Sequence, residues 1–195
     1  MVDKETLNVY SEQVEAYQKV AMTTEESAAL NRFLTHLTPG EHILDFGCGP
    51  GHHAEQMLAA GFQVSAIDAT PEFVDAAKAR GVDARVGFFN DLTEVEAYDA
   101  IWASFSLLHA PRAEFPQHMT AMFRALRPGG HLYLGLKLGT GEKRDSIGRL
   151  YSYFSEDELR DHLKAHDFTV KDWTVGQGAG LSGEIHPFVL ITAQR

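Results

Sequence analysis

The stretch Ile43-Leu44-Asp45-Phe46-Gly47-Cys48-Gly49-Pro50-Gly51 carries an apolar strand straight into a glycine-rich turn. Glycine suits such a turn because the backbone must bend tightly and let a ligand approach with no Cβ in the way. Residues 51–60 then read as a helix, and a helix N-terminus offers unpaired N–H groups to a negative group. The spacing Gly47-x-Gly49-x-Gly51 differs from the G-x-G-x-x-G of dinucleotide sites. Asp45 precedes the first glycine by two residues, where it would repel a pyrophosphate but suits a ligand carrying an ammonium group. The next strand, 63–67, delivers Asp68 at its end, 23 residues after Asp45. A carboxylate there can accept both hydroxyls of a ribose.

Outward from this turn, short apolar strands alternate with helical segments. Strands are predicted over 42–46, 63–67, 84–88, 98–105 and 131–138, with helices over 51–60, 71–80 and 112–126 between them. The last of these helices carries Phe115, Met119, Phe123 and Leu126 on one face. Alternation of this kind implies right-handed crossovers and a parallel sheet covered on both faces. Ser155 and Glu158 form a capping box for a helix to about residue 165, and two strands follow at 168–175 and 186–193. Their connector, Gly176-Gln177-Gly178-Ala179-Gly180-Leu181-Ser182-Gly183, suggests an antiparallel hairpin. Ahead of the turn, Leu7, Tyr10, Val14 and Tyr17 mark one amphipathic helix. Thr23 and Glu26 cap a second, which carries Leu30, Phe33, Leu34 and Leu37 up to Pro39-Gly40. The expected fold is α/β: a doubly wound seven-stranded sheet, mostly parallel, with a C-terminal antiparallel hairpin and two N-terminal helices. One domain spans 1–195, divided into a helical preface or lid over 1–40 and a core over 41–195.

Length and composition agree with this. A chain of 195 residues fits one domain, and 44% hydrophobic with 23% charged residues excludes disorder, collagen and coiled coil. Acidic residues outnumber basic ones 27 to 17, so the net charge is -10. Any polyanion would have to find a local basic patch against that field. Cys48 is the single cysteine, which fits a reducing compartment. The polar start Met1-Val2-Asp3-Lys4-Glu5 is unlike a signal peptide, and no apolar run approaches the roughly 20 residues of a membrane helix. A cytoplasmic protein with no membrane partner is expected.

Asp45-x-Gly47-x-Gly49-x-Gly51 followed by Asp68 resembles the class I S-adenosylmethionine-dependent methyltransferases, in their small single-domain bacterial form, from about residue 40 onward. The resemblance implies a Rossmann-like core and S-adenosylmethionine as cofactor, with no metal. It places Gly47, Gly49 and Gly51 along the methionine and ribose, with Cys48, Ala69 and Ser104 beside them. Asp45 would orient the methionine amino group, directly or through water, and Asp68 would hold the ribose. Related enzymes often carry an acid after the third strand that takes the adenine amino group, close to where Phe88 or Phe89 stands here. Either Asp91 takes that hydrogen bond or a phenylalanine, Phe89 included, packs on the ring. A plain core role for both phenylalanines is the competing reading.

The fourth strand empties into Ser104-Phe105-Ser106-Leu107-Leu108-His109, which should face the sulfonium methyl. His109 reads two ways, as a general base or as a residue that closes the pocket through a hydrogen bond. After the fifth strand, residues 139–154 look like a substrate loop or lid, too long for a simple connection. They resemble a K-x-G-x-G-E-x-x-D-x-x-G-R-x-Y-x-Y run of small bacterial methyltransferases, filled here by Lys137, Glu142, Arg144, Asp145, Arg149, Tyr151 and Tyr153. Lys137 and Arg149 would clamp an anionic acceptor while Tyr151 and Tyr153 wall the transfer channel. The alternative is a loop salt-bridged within itself. Tyr10 and Tyr17 likewise belong to a permanently packed helix or to a lid that contacts substrate. His52-His53 invites a metal, but adjacent residues on a helix point apart, with no Cys or acid at helical spacing nearby.

The expected activity is in-line methyl transfer to an O, N or S nucleophile of a small molecule. The Asp-Pro-Pro-Tyr or Asn-Pro-Pro-Tyr motif of amino-group methylation on bases and glutamine is absent. A tRNA-modifying enzyme is the runner-up, opposed by the acidic balance. A cofactor-binding partner subunit without turnover is a third reading. The oligomeric state stays open.

Overall fold

In a computed structural model that describes residues 3–14, 17, 22–180 and 183–195, two helices precede the first strand. They are α1 (Lys4–Glu12) and α2 (Thr24–Leu34). Five strands follow, β1 (His42–Phe46), β2 (Gln63–Asp68), β3 (Asp83–Val86), β4 (Tyr98–Ser104) and β5 (Leu126–Lys137). Helices α3 (His52–Ala59), α4 (Pro71–Ala79) and α5 (Phe115–Ala125) lie among them. The chain closes with a small hairpin, β6 (Glu142–Arg144) and β7 (Leu150–Ser152), then α6 (Glu156–Ala165), β8 (Thr169–Ala179) and β9 (Ile185–Gln194). The main sheet has seven strands in the order β3-β2-β1-β4-β5-β9-β8. β1 to β5 pair in parallel, and β9 runs antiparallel to both β5 and β8. This is the doubly wound arrangement read from the sequence.

Strand alternation sends side chains to two cores. Leu44, Phe46, Ile101 and Leu134 pack with Phe115 and Met119 of α5 and Leu159 and Leu163 of α6. Ile43, Trp102 and Tyr133 pack on the other face with Phe33 of α2, Met57 of α3 and Val74 of α4. The Trp102 and Tyr133 rings stack at 3.7 Å, and Phe33 lies edge-on to Tyr133 and tilted against Trp102. Both expected capping boxes form: Glu26 N–H donates to Thr23 Oγ1 at 3.1 Å, and Glu158 N–H to Ser155 Oγ at 3.2 Å.

Several boundaries differ from expectation. β3 stops at Val86, because Asp91 accepts the Phe88 N–H and draws 89–91 into a single 3-10 turn. A separate 3-10 turn occupies 112–114 before α5 begins. β5 starts early, where Leu126 pairs with Tyr98 ahead of a bulge. Much of the glycine-rich connector is strand: Gly176 and Gly178 belong to β8, and a Cβ on Gly176 would lie 2.6 Å from the Phe188 ring. Those glycines admit an aromatic ring instead of making a turn. The expected continuation of the first helix over 15–16 and 18–21, and Leu181-Ser182 of the connector, lie outside the described residues. Among the described residues no helix is long and apolar enough to cross a membrane.

Candidate functional site

The carboxyl ends of β1, β2, β3 and β4 meet at a cavity of about 280 Å³ roofed by α1. Its floor is the glycine turn. Gly47, Gly49 and Gly51 all take positive φ, at 86°, 52° and 84°. A Cβ on Gly47 would stand 2.3 Å from Ser106 Cβ and one on Gly51 2.8 Å from Ala77 Cβ, so both are bare for close packing. A Cβ on Gly49 would meet nothing within 4 Å. Gly47, Cys48 and Gly49 line the cavity; Gly51 does not and starts α3 behind it.

Asp68 sits at the rim, with Ala69 and Thr70 beside it. Its Oδ2 accepts the Gly49 N–H at 2.8 Å and its Oδ1 the Thr70 N–H at 2.9 Å. An ionised carboxylate has about four acceptor sites, so two remain for a ligand's hydroxyls. Asp45 is fully buried and lies behind the lining residues, with Oδ2 lacking a hydrogen-bond partner. Burial, reinforced by the nearby Asp68 charge, pushes its carboxyl up to about 8, while the Ala54 amide in the first turn of α3 opposes the shift. The Cys48 thiol is raised by burial and is inert as a nucleophile. Next to these, His52 and His53 line the α3 end, each with Nε2 unpartnered, and burial pushes His53 down to about 4.

The opposite end is aromatic. Phe88 and Phe89 line it with Asn90, and Phe89 packs edge-on against Phe46 and His118. Asp91, a candidate for the adenine amine, caps the Phe88 N–H at 2.8 Å and does not line the cavity. Of the residues expected after the third strand, the two phenylalanines line the cavity and Asp91 does not.

β4 gives way to Phe105 at a φ of 51°, a conformation rare for a non-glycine residue. The sharp turn brings Ser104, Ser106 and His109 to the cavity wall. The Leu150 carbonyl accepts from His109 Nδ1 at 2.7 Å, which fixes the proton on that nitrogen. Nε2 then accepts from the Tyr10 hydroxyl at 2.6 Å, and Arg149 Nη1 donates to the same oxygen at 3.1 Å. Burial, together with the Arg149 and Lys137 charges, pushes His109 down to about 3 against the opposing Leu150 bond. Tyr10 and Tyr17 both line the cavity, with their rings 5.4 Å apart and both against Phe73.

The remaining acceptor-side candidates stand one layer back. Arg149 is 1% exposed and its Nε and Nη2 reach Asp145 at 2.9 and 2.7 Å, so its fork is spent within the chain. Arg144 pairs with Asp3 of the α1 cap at 2.7 Å, and Glu142 accepts from the Arg112 N–H and from Ser152. Lys137 is buried with its Nζ 3.8 Å from the centre of the Tyr151 ring and without a hydrogen-bond partner. Tyr151 lies against His109 and Tyr153 against His186. None of Lys137, Arg149, Tyr151 and Tyr153 lines the cavity. Arg112 bonds the Tyr153 carbonyl and Glu158, and so ties this hairpin to α6.

Sequence reasoning passed over His118, Asn90, Phe73 and Thr70, which all line the cavity. One signal was available for His118: it follows Phe115 by three and precedes Met119, which puts a polar residue on the apolar face of its helix. Among the described residues no three His, Cys, Asp or Glu side chains converge on a common point.

Comparison with known proteins bears on this site. A family model described as a methyltransferase domain matches residues 43–130, which span the glycine turn, Asp68 and His109. Residues 43–130 thus resemble a methyltransferase domain, and the seven-stranded sheet has the fold of solved methyltransferases. The ubiquinone biosynthesis O-methyltransferase of Xanthomonas oryzae pv. oryzae is 38% identical over 103 residues, covering 49% of this chain and 42% of that protein. The tRNA U34 carboxymethyltransferase of Hahella chejuensis is 32% identical over 133 residues, covering 63% of this chain and 40% of that protein. The chain thus spans about two fifths of the length of these relatives. The solved 1,6-didemethyltoxoflavin-N1-methyltransferase of Burkholderia thailandensis, with bound S-adenosylhomocysteine, shares the fold at a TM-score of 0.78 and 22% identity, covering 98% of this chain and 88% of that one.

Proposed function

We propose that this protein transfers the methyl group of S-adenosylmethionine to an O, N or S nucleophile of a small molecule. One observation carries the reading. A single cavity runs from the first turn of α3, past Gly49 and Asp68, to Phe88 and Phe89. That order suits a ligand with a charged amino acid at one end, a ribose in the middle and a flat aromatic base at the other. The glycine cradle and the unpartnered Asp45 oxygen fit such a ligand. When bound, S-adenosylmethionine supplies an electrophilic methyl carbon and its own leaving group. The chain's part is then alignment and exclusion of water. Asp68 holds the ribose, Asp45 acts on the ammonium group from one layer behind the lining, through water, and Tyr10 and His109 close the wall of the channel.

The likeness to a ubiquinone biosynthesis O-methyltransferase favours a small-molecule acceptor. A tRNA acceptor is the second reading, favoured by the likeness to a tRNA U34 carboxymethyltransferase and opposed by the net charge of -10. Calorimetric titration with S-adenosylmethionine and S-adenosylhomocysteine, with NAD as control, tests the cofactor. Binding of the first two without NAD is expected, and binding of NAD alone would sink the reading. Transfer of labelled methyl groups to small molecules against bulk tRNA separates the acceptors. Cofactor binding with no turnover on either would point to a partner subunit.

A further inference from the structure

We propose that α1 is a door on the cavity, held shut by the β6–β7 hairpin with Arg144 as its catch. It rests on the methyltransferase reading above for what passes through, the cofactor. α1 covers the cavity with Thr6, Leu7 and Tyr10. Thr6 is its one buried residue, whereas α5 buries Phe115, Met119, Met122 and Ala125 in the core. Leu7 and Tyr10 belong to neither core and line the cavity, where Tyr10 also meets Tyr17 and Phe73. The second helix is different, because Leu30 and Phe33 are sunk in the core that holds Trp102. The expected lid over 1–40 therefore divides, with α1 as the moving part and α2 as fixed wall.

What holds α1 down is polar and comes mostly from the hairpin. Arg144 Nη1 and Nη2 donate to the two carboxylate oxygens of Asp3 at 3.0 and 2.7 Å, and its Nε stands 3.2 Å from Glu5 Oε2. The Leu150 N–H donates to Thr6 and Arg149 Nη1 to the Tyr10 hydroxyl. Between them Gly148 is bare where Glu5 passes, since a Cβ there would lie 2.9 Å from Glu5 Oε1. The frame is firm: Arg149 is locked to Asp145, and Arg112 ties the hairpin to α6. The remaining tethers, Tyr10 to His109 and Ser11 to Glu72, are hydrogen bonds as well. Bonds of this kind give way to water at small net cost. A segment with few buried apolar contacts opens locally, well below the cost of unfolding the whole chain. A ligand beneath α1 packs against Leu7 and Tyr10 and so favours the closed form. The Arg144 side chain is 40% exposed, which lets salt reach the catch.

The test is amide hydrogen exchange of the full chain, read by mass spectrometry with and without S-adenosylhomocysteine. Without ligand, residues 8–12 of α1 should exchange at least about tenfold faster than residues 119–125 of α5 and 28–34 of α2. S-adenosylhomocysteine at a hundred times its dissociation constant should slow α1 by about a hundredfold, as expected where only the closed form binds. Arg144→Met should speed α1 in the ligand-free protein by about threefold, the scale of one exposed ion pair, and leave α5 unchanged. Molar sodium chloride should speed α1 similarly in wild-type protein and add nothing in Arg144→Met. Exchange of α1 as slow as that of α5 without ligand would overturn the proposal, as would an α1 indifferent to bound S-adenosylhomocysteine. Unchanged α1 exchange in Arg144→Met, or equal speeding of α1 and α5, would remove Arg144 as the catch. Failure of S-adenosylhomocysteine to bind, seen by calorimetry, would remove the methyltransferase reading alone, since the ligand-free comparisons still decide the door.

Discussion

The hydroxyl of Tyr10 lies 2.6 Å from Nε2 of His109, joining α1 to the turn after β4 across 99 residues of sequence. Since the Leu150 carbonyl holds Nδ1–H, the imidazole has one lone pair, and Tyr10 occupies it. The ring therefore serves as an anchor for the roof of the cavity. A second tether lies close by, where the Leu150 N–H donates to Thr6 Oγ1 at 2.8 Å.

Arg149 and Asp145 form an ion pair whose side chains are each 1% exposed. Arg149→Met leaves an uncompensated buried carboxylate and should cost about 3–5 kcal/mol. Adding Asp145→Asn should recover most of that loss. Urea denaturation of the single and double variants checks it. Additive losses would mean the two side chains do not form an isolated pair.

Acid should weaken the fold through His109. Burial holds its folded-state value near 3, whereas an unfolded chain protonates near 6.5. Below pH 6.5 the unfolded state therefore binds the extra proton, and stability falls as pH drops from 6.5 toward 3. His109→Gln should flatten the fall in unfolding free energy measured between pH 7 and 4. An unchanged slope would show that other groups set it.

Asp45 titrates in the opposite sense. Its carboxyl holds a proton up to about pH 8 in the fold, against 3.8 as an ordinary carboxyl. Stability contributed by the protonated form is thus lost progressively as pH rises from about 4 through 8. An ammonium-bearing ligand prefers the ionised form, so its binding should release a proton at pH 7 and tighten as pH rises toward 8. Titration in buffers of different ionisation enthalpy counts that proton, and Asp45→Asn should abolish it.

Gly49 and Gly51 should respond differently to alanine. Both sit at positive φ, which alone costs an alanine about 1–2 kcal/mol. At Gly51 the new methyl also collides with Ala77, so Gly51→Ala should lower the melting temperature strongly. At Gly49 it enters open cavity, so Gly49→Ala should lose ligand affinity with only a modest fall in melting temperature. Thermal melts with and without S-adenosylhomocysteine separate the two.

What the sequence discloses follows the range of the forces involved. The glycine turn, the two capping boxes and the parallel strands are local patterns, and each stands within a few residues of its predicted position. The fate of Arg149 is not local: its guanidinium meets Tyr10 from 139 residues away, and only packing decides that Asp145 and not a ligand occupies the fork. Lys137 is hidden for the same reason, since its partner is the face of Tyr151. Gly176 and Gly178 mislead in another way. Glycine in sequence signals a turn, and here it makes room for Phe188 within a strand. The β6–β7 hairpin escapes notice because its strands are three residues each, too short for alternation to show.

β9 follows β8 in the chain, yet it lies between β5 and β8 inside the sheet. A growing polypeptide must therefore emerge with the flank of β5 open until β9 arrives. Every nascent copy passes through a stage with bare edges beside an apolar core, the state in which chains stick to one another or to chaperones. A chain halted before residue 185 should therefore expose the β5 edge and be more prone to aggregate than one that carries β9.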